Sequence, residues 1–150
     1  MISFATSVRV ERTVDEVFEF VSDPLLFPRW NSAVQAVNKT SGASGEAGST
    51  YSMRRELPAQ VENDLEVLIR ERPSDFVIQT ISGPTPWHYH YRFAPEGTGT
   101  VVHLQASVEL PGVAGVLGPL AARAVRRGVD ANFVALQRTL EEGELRGPRN

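Results

Sequence analysis

The sequence predicts a two-layer α+β domain in which one curved antiparallel sheet packs against one long amphipathic helix. Segments of period-two alternation follow one another through the middle of the chain, as expected of half-buried strands. The longest helical pattern comes last, at about 116–142. Two short helical segments lie between the first strand and the other strands. This order favours a single sheet of about seven strands.

The first thirty residues combine a strand with two short helical segments. Residues 2–10 have the composition of a strand. Thr13 and Glu16 have the spacing of a capping box, in which the hydroxyl and the carboxylate each bind the other residue's backbone N–H. An apolar stripe follows at helical spacing: Val14, Val17, Phe18 and Val21. Pro24 ends this helix, and a second apolar turn leads to Trp30.

Six more strands follow, separated by segments rich in glycine, proline and serine. They are expected at 33–38, 50–57, 61–70, 76–81, 87–93 and 100–110. The loop at 41–49 contains glycines but no following Lys-Ser/Thr, so we expect no phosphate cradle and no cofactor. The segment 72–75 has the composition of a type I turn, with proline at its second position.

The register of the last hairpin can be deduced from its two alternations. If Pro95 lies opposite Thr100, the aromatic residues of one strand and the aliphatic residues of the next share a face. That face carries Trp87, Tyr89, Tyr91, Leu104, Ala106 and Val108. The opposite face then carries Arg92 across from His103, with His90 beside them.

The final helix carries small residues on its predicted inner face. The residues close to that face are Leu117, Leu120, Ala121, Ala124, Val125, Gly128, Asn132, Leu136 and Leu140. Alanine and glycine leave room between helix and sheet, which predicts a cavity instead of a filled core. Pro119 fits only a first turn, so regular helix is expected from near Gly118, and Gly143 is the expected C-cap. We expect one domain over 1–144 and a tail over 145–150.

Composition narrows the function classes. The formal net charge is −3 and no run of lysine and arginine offsets it, so we expect no nucleic-acid partner. There is no cysteine, which excludes disulfides, thiolate catalysis and a cysteine-based zinc site. The start lacks the features of a signal peptide and no apolar run approaches a membrane span, so we expect a cytoplasmic protein.

With these elements in place, the chain resembles the helix-grip superfamily of START and Bet v 1-like proteins, within it the polyketide cyclase/dehydrase-like (SRPBCC) group. The resemblance covers nearly the whole chain and rests on 5–10, 14–21, Asp23-Pro24, 27–30, the hairpin 87–100 and the closing helix around Leu136. It implies a helix-grip fold, with the sheet wrapped around the C-terminal helix and a deep hydrophobic cavity between them. It carries no shared catalytic motif, because this fold hosts several activities.

The resemblance implies binding or transport of a hydrophobic small molecule, such as a lipid, a polyketide or an isoprenoid-like compound. The alternative is an enzyme of the cyclase/aromatase type that uses the same cavity, and a third class is a partner-binding regulator whose cavity is small or filled. The candidate ligand-binding residues are Phe27, Trp30, Tyr51, Met53, Arg55, Leu65, Val67, Trp87, Tyr89, Tyr91, Leu104, Ala106, Leu117, Leu120, Ala121, Ala124, Val125, Gly128 and Asn132. Each of them either lines a pocket or simply fills the core.

Arg55 is the most specific of these candidates, because it shares a strand face with Tyr51 and Met53. A buried arginine needs a partner, which is either a core carboxylate or an anionic ligand group. Alternatively its side chain extends along the sheet edge into solvent. By resemblance to cyclases, Arg55 with Tyr51 or Tyr89 would assist enolisation or dehydration.

Three histidines provide an alternative metal site. His88 and His90 alternate on one strand, and His103 lies on its neighbour, so together they have the residue types of an open zinc site. The register above points them to solvent and places Arg92 among them, which disfavours a cation. A one-residue slip would reverse that orientation.

Overall fold

The computed structural model of the chain describes residues 1–43, 45–56, 60–109 and 118–146, and side chains as far as residue 143. Its elements are β1 Ile2–Val10, α1 Val14–Val21, a 3₁₀ helix Pro24–Arg29, β2 Val34–Ser41, β3 Thr50–Arg55, β4 Val61–Glu71, β5 Asp75–Ser82, β6 Trp87–Glu96, β7 Gly99–Val108 and α2 Gly118–Arg146. Within these residues no helix is long and apolar enough to cross a membrane.

One curved sheet of seven strands forms the first layer, in the order β1-β7-β6-β5-β4-β3-β2, and α2 forms the second. Each pair of neighbouring strands is antiparallel. Side chains alternate between an inner and an outer face, as in β1, where partly buried and exposed positions follow one another as far as the buried Val10. The structure therefore confirms the α+β helix-grip fold, with two short helices after the first strand.

Two local predictions are confirmed in atomic detail. Thr13 caps α1 through the backbone N–H of Glu16, whose carboxylate accepts the Thr13 backbone N–H in return. The last hairpin pairs Pro95 with Thr100 and Tyr91 with Leu104, so the register deduced from the two alternations is correct.

The turn after β4 differs from the prediction. The Arg72–Pro73 peptide bond is cis, and the Ser74 backbone N–H donates to the Glu71 carbonyl at 2.8 Å. The four-residue turn therefore spans Glu71 to Ser74, with proline third, and is not the type I turn expected at 72–75. Composition points to a turn here, but proline is compatible with either peptide isomer.

The buried side of α2 agrees with the predicted one at Leu136 and Leu140 but differs from it earlier in the helix. Val129, Phe133, Leu136 and Leu140 are buried against the sheet. Val129 and Phe133 each follow a predicted position by one residue, which is about 100° around a helix. Leu120 is 60% exposed, so its placement on the inner face was wrong. Leu117 lies outside the described residues.

The C-terminal half of α2 is fastened to β1 and the residues after it. The hydrogen bonds run from the Thr6 hydroxyl to Asp130, from Gln137 to the Arg9 carbonyl, from Arg12 to the Leu140 carbonyl, and from the Glu11 amide to Glu141. The helix continues through Gly143, the expected C-cap, to Arg146, which lies inside the expected tail.

Candidate ligand-binding cavity

A cavity of about 450 Å³ lies between the inner face of the sheet, the corner formed by the 3₁₀ helix, and the N-terminal half of α2. Its volume falls within the usual range for small-molecule sites. Its walls are Phe27, Trp30, Asn31, Ala33, Val34, Met53, Arg55, Ile78, Thr85, Trp87, Tyr89, Tyr91, Val108, Ala124, Val125, Gly128, Val129 and Asn132. Ala124 and Gly128 are exposed, so the cavity opens to solvent along α2.

The structure brings many of the predicted residues together around this cavity. They are Phe27, Trp30, Met53, Arg55, Trp87, Tyr89, Tyr91, Ala124, Val125, Gly128 and Asn132. Other predicted residues are packed in the core away from the cavity wall: Tyr51, Leu65, Val67, Leu104 and Ala106. Ala121 is partly buried but does not line the cavity. The cavity therefore occupies one end of the space between sheet and helix, and the core fills the other.

Tyr51 illustrates this division of the inner face. Its ring is fully buried, and its hydroxyl accepts the Gly45 backbone N–H at 2.6 Å and lies 3.3 Å from the Ser49 hydroxyl. The phenol thus fixes the loop before β3 and does not reach the cavity. Arg55, four residues later on the same face, does line it. Tyr51 and Arg55 therefore share a strand face, but one contacts the loop before β3 and the other lines the cavity.

Seven wall residues were not predicted: Asn31, Ala33, Val34, Ile78, Thr85, Val108 and Val129. The hairpin register could have identified Val108, which pairs with Trp87. The large apolar residues of α2 lie at i, i+4, i+7 and i+11 from Val129, which is the spacing of one buried helix face. The prediction followed the small residues instead and so missed Val129. The loop residues Asn31 and Thr85 carry no periodic signal.

Aromatic side chains form a continuous wall on one side of the cavity. The ring centroids of Trp87 and Tyr89 are 4.6 Å apart, and those of Tyr89 and Tyr91 are 6.1 Å apart. Trp30 meets Tyr91 edge-on at 6.5 Å and Phe27 at 6.0 Å. These pairs hold large apolar surfaces at fixed angles, which suits a flat or elongated apolar ligand.

Arg55 points inward because Asn63 holds it there. The guanidinium Nη2 donates to the Asn63 side-chain oxygen at 3.3 Å, and burial lowers the pKa of Arg55. Asn63 in turn donates to the backbone carbonyls of Pro84 at 2.7 Å and Ser82 at 3.3 Å. The turn that supplies these carbonyls contains Gly83 at φ 101°, where an added Cβ would lie 2.5 Å from a β4 carbonyl oxygen.

The two cavity tyrosines keep their protons at neutral pH. Burial raises the pKa of Tyr89 to about 12, although the positive charge of Arg55 acts in the opposite direction. Burial also raises the pKa of Tyr91 well above its ordinary value, and Tyr89 adds to that shift. Their hydroxyl groups can therefore donate hydrogen bonds to a ligand.

The three histidines do not form a site in the described part of the chain. His88 and His103 are exposed on the outer face of the sheet. His90 Nε2 lies 2.8 Å from the Asp75 carboxylate, and this contact lowers the pKa of Asp75. No group of three or more histidine, cysteine or carboxylate side chains is placed to hold a metal ion among the residues described.

A helix-grip fold with a large inner cavity defines the class of protein. A family model described as polyketide cyclase/dehydrase and lipid transport matches residues 1–141, and the chain belongs to that family. No curated protein matches the chain.

Similar solved structures agree with this fold. A START superfamily protein from Mycobacterium smegmatis is 15% identical, with a TM-score of 0.80 over 95% of this chain and 99% of that one. The protein TTHA0849 from Thermus thermophilus is 17% identical, with a TM-score of 0.77 over 91% and 94%. The di-domain ARO/CYC BexL from the BE-7585A biosynthetic pathway is 14% identical, with a TM-score of 0.78 over 99% of this chain and 48% of that one. At such identities the likeness concerns the fold alone.

Proposed function

We propose that this chain binds a hydrophobic small molecule in the cavity and carries or sequesters it. The observation that supports this function is the cavity itself, about 450 Å³ in volume and walled mainly by apolar and aromatic side chains. Apolar surface that a ligand buries there contributes about 25 cal/mol per Å² to binding. A partner-binding regulator was expected to have a small or filled cavity, and a cavity this size does not fit that class.

The chain offers a matched pair of variants to test the proposal. Gly128 and Gly143 both lie in α2, and a Cβ added at either meets no atom within 4 Å apart from its chain neighbours and the adjacent helix backbone. Only Gly128 lines the cavity. The Cβ of Gly128→Phe should therefore fit the fold, and its ring should obstruct the cavity, whereas Gly143→Phe should leave the cavity open.

The measurement is a titration with the neutral fluorescent probe N-phenyl-1-naphthylamine, together with native mass spectrometry of protein purified from its own host. We expect the wild-type protein and Gly143→Phe to bind the probe, and Gly128→Phe to bind it much more weakly. A co-purified apolar compound would identify the ligand. Probe binding that is absent in the wild-type protein, or equal in both variants, would contradict the proposal.

A cyclase/aromatase-type enzyme is the second candidate, favoured by Arg55 and Tyr89 lying on one cavity wall. In that mechanism the guanidinium and the protonated phenol both donate hydrogen bonds to a ketone oxygen as it gains negative charge, and solvent water accepts the α-proton. Tyr51 takes no part in this version, because its hydroxyl is committed to the loop. Tyr89→Phe distinguishes the two functions, because a carrier would lose little affinity whereas an enzyme would lose turnover of a poly-β-ketone substrate.

A further inference from the structure

Two of the residues that line the cavity carry a hydrogen-bond donor without a partner in the described part of the chain. The indole Nε1 of Trp30 and the Nε of Arg55 are buried, and neither has a hydrogen-bond partner in the described part of the chain. Buried N–H groups are nearly always satisfied in folded proteins, because leaving one unpaired costs free energy. Both residues line one cavity, and a ligand with acceptor atoms would pair with these donors only after a small rearrangement of the wall, because neither nitrogen is accessible to solvent.

The charge of the cavity is also unbalanced. Arg55 is the one charged side chain among the described residues of the wall, and no carboxylate lines it. Its hydrogen-bond partner is the neutral amide of Asn63, at 3.3 Å. Burial lowers the pKa of Arg55, but a guanidinium remains protonated in proteins, so the positive charge persists in apolar surroundings.

We infer that the ligand of this cavity is an anionic amphiphile whose carboxylate lies against Arg55 and whose apolar body lies along the aromatic wall. A carboxylate only accepts hydrogen bonds, and its two oxygens match the fork of a guanidinium. The inference rests on the proposed function and specifies the ligand's charge. Fatty acids and aromatic acids share this chemistry, and the test below separates them.

Matched ligands that differ only in their polar group test the inference. Dodecanoic acid, dodecanol and dodecylamine form an aliphatic set, and 2-naphthoic acid and 2-naphthalenemethanol form an aromatic set. Each would compete with N-phenyl-1-naphthylamine for the wild-type protein, Arg55→Gln, Arg55→Lys and Arg54→Gln. Arg54 is the control, because it is exposed and its Nε donates to Gln35 at 3.0 Å.

We expect the wild-type protein and Arg54→Gln to prefer an acid over its alcohol by about 10- to 100-fold, since hydrogen bonds to charged groups are the stronger class. The amine should bind most weakly. Arg55→Gln should lose the preference, and Arg55→Lys should keep part of it because the charge remains. The set that binds more tightly shows whether the ligand body is aliphatic or aromatic.

Two results would overturn the inference while leaving the proposed function in place. One is equal affinity of acid and alcohol in the wild-type protein, and the other is a preference for acids that survives in Arg55→Gln. If Arg55→Gln does not fold, the test rests on the wild-type protein and Arg55→Lys. A preference for acid over alcohol that is equal in these two proteins would contradict recognition by the guanidinium. Failure of the neutral probe itself to bind would instead contradict the proposed function.

Discussion

Asn63 is a buried amide that joins the turn after β5 to the cavity. It is 1% exposed, its nitrogen donates to the Pro84 and Ser82 carbonyls, and its oxygen accepts from Arg55. The position of the only charge described in the cavity wall thus depends on a residue outside that wall. An asparagine suits this position because it both donates and accepts.

Replacing Asn63 should therefore affect stability as well as binding. We expect Asn63→Ala to lower the free energy of unfolding by about 1–3 kcal/mol, since it leaves the Pro84 carbonyl without its partner. Urea unfolding followed by intrinsic tryptophan fluorescence measures the change. Glu62→Gln, an exposed neighbour on the same strand, should unfold at the wild-type urea concentration. Equal urea midpoints for the wild-type protein, Asn63→Ala and Glu62→Gln would show that the hydrogen bonds of Asn63 do not stabilise the fold.

Glu16 links stability to pH at the start of α1. Hydrogen bonds from Arg12, and then from Thr13, lower the pKa of Glu16 from 4.5 to about 2. Because the pKa is lower in the folded state, ionised Glu16 stabilises the fold above about pH 4.5, and this contribution disappears as the pH falls towards 2. The side chain is 46% exposed, so solvent screening limits the contribution to about 0.5–1 kcal/mol.

Substituting Glu16 should reveal this dependence. Glu16→Gln should be less stable than the wild-type protein at pH 7, and the difference should narrow as the pH falls through the window from about 4.5 to 2. Denaturant titrations at several pH values provide the measurement. A stability difference that does not change with pH would assign the effect to packing instead of charge.

At the scale of an element, α2 carries a glycine where alanine would be the better helix former. The added methyl group of Gly128→Ala meets no atom within 4 Å, so it should not strain the fold. Relieving the entropic penalty of glycine in a helix interior should raise the free energy of unfolding by about 0.5–1 kcal/mol. Gly143→Ala provides a second helical site with the same open surroundings.

The two alanine variants should differ in binding although both add the same group. Gly128→Ala narrows the cavity and should weaken probe binding, whereas Gly143→Ala should leave it unchanged. Thermal unfolding and probe titration on the same samples give both quantities. Destabilisation by Gly128→Ala would contradict the open space seen beside it.

Elements whose geometry follows from local spacing could be predicted from the sequence. The capping box needs only the three-residue spacing of Thr13 and Glu16, and the last hairpin needs only two alternations and a glycine turn. The face of α2 was harder, because Ala124 and Gly128 suggested an inner surface while the sheet is contacted by Val129 and Phe133. A helix that borders a cavity has one side that packs against the sheet and another that lines the cavity. Residue size alone does not distinguish these two sides.

The candidate site was only partly predictable, because it depends on contacts between distant parts of the chain. Arg55 points inward through Asn63, which is held by Pro84, a residue 21 positions further on. No periodicity encodes that contact. Loop residues such as Asn31 and Thr85 also reach the wall through the tertiary structure, which no periodic pattern encodes. The family-level expectation of a cavity was sound, and Arg55 was among its predicted residues, but the choice between an inward and an outward Arg55 side chain required tertiary structure.

At the scale of the whole molecule, the attachment of α2 is uneven. Its described hydrogen bonds to the β1 region all fall between Asp130 and Glu141. The part of the helix before Asp130 instead contributes Ala124, Val125 and Gly128 to the cavity wall. Local opening requires least free energy where buried contacts are few. Backbone amides of 119–128 should therefore exchange with deuterium faster than those of 133–141 in the ligand-free protein.

Ligand in the cavity should then change deuterium exchange at one end of α2 and not at the other. Ligand binding should slow exchange over 119–128 and leave 133–141 nearly unaltered, which hydrogen-exchange mass spectrometry resolves by peptide. Uniform protection along α2, with or without ligand, would contradict this gradient. If such a gradient exists, a ligand would enter and leave the proposed site through motions of a few helical turns, while the opposite end of the same helix keeps the chain folded.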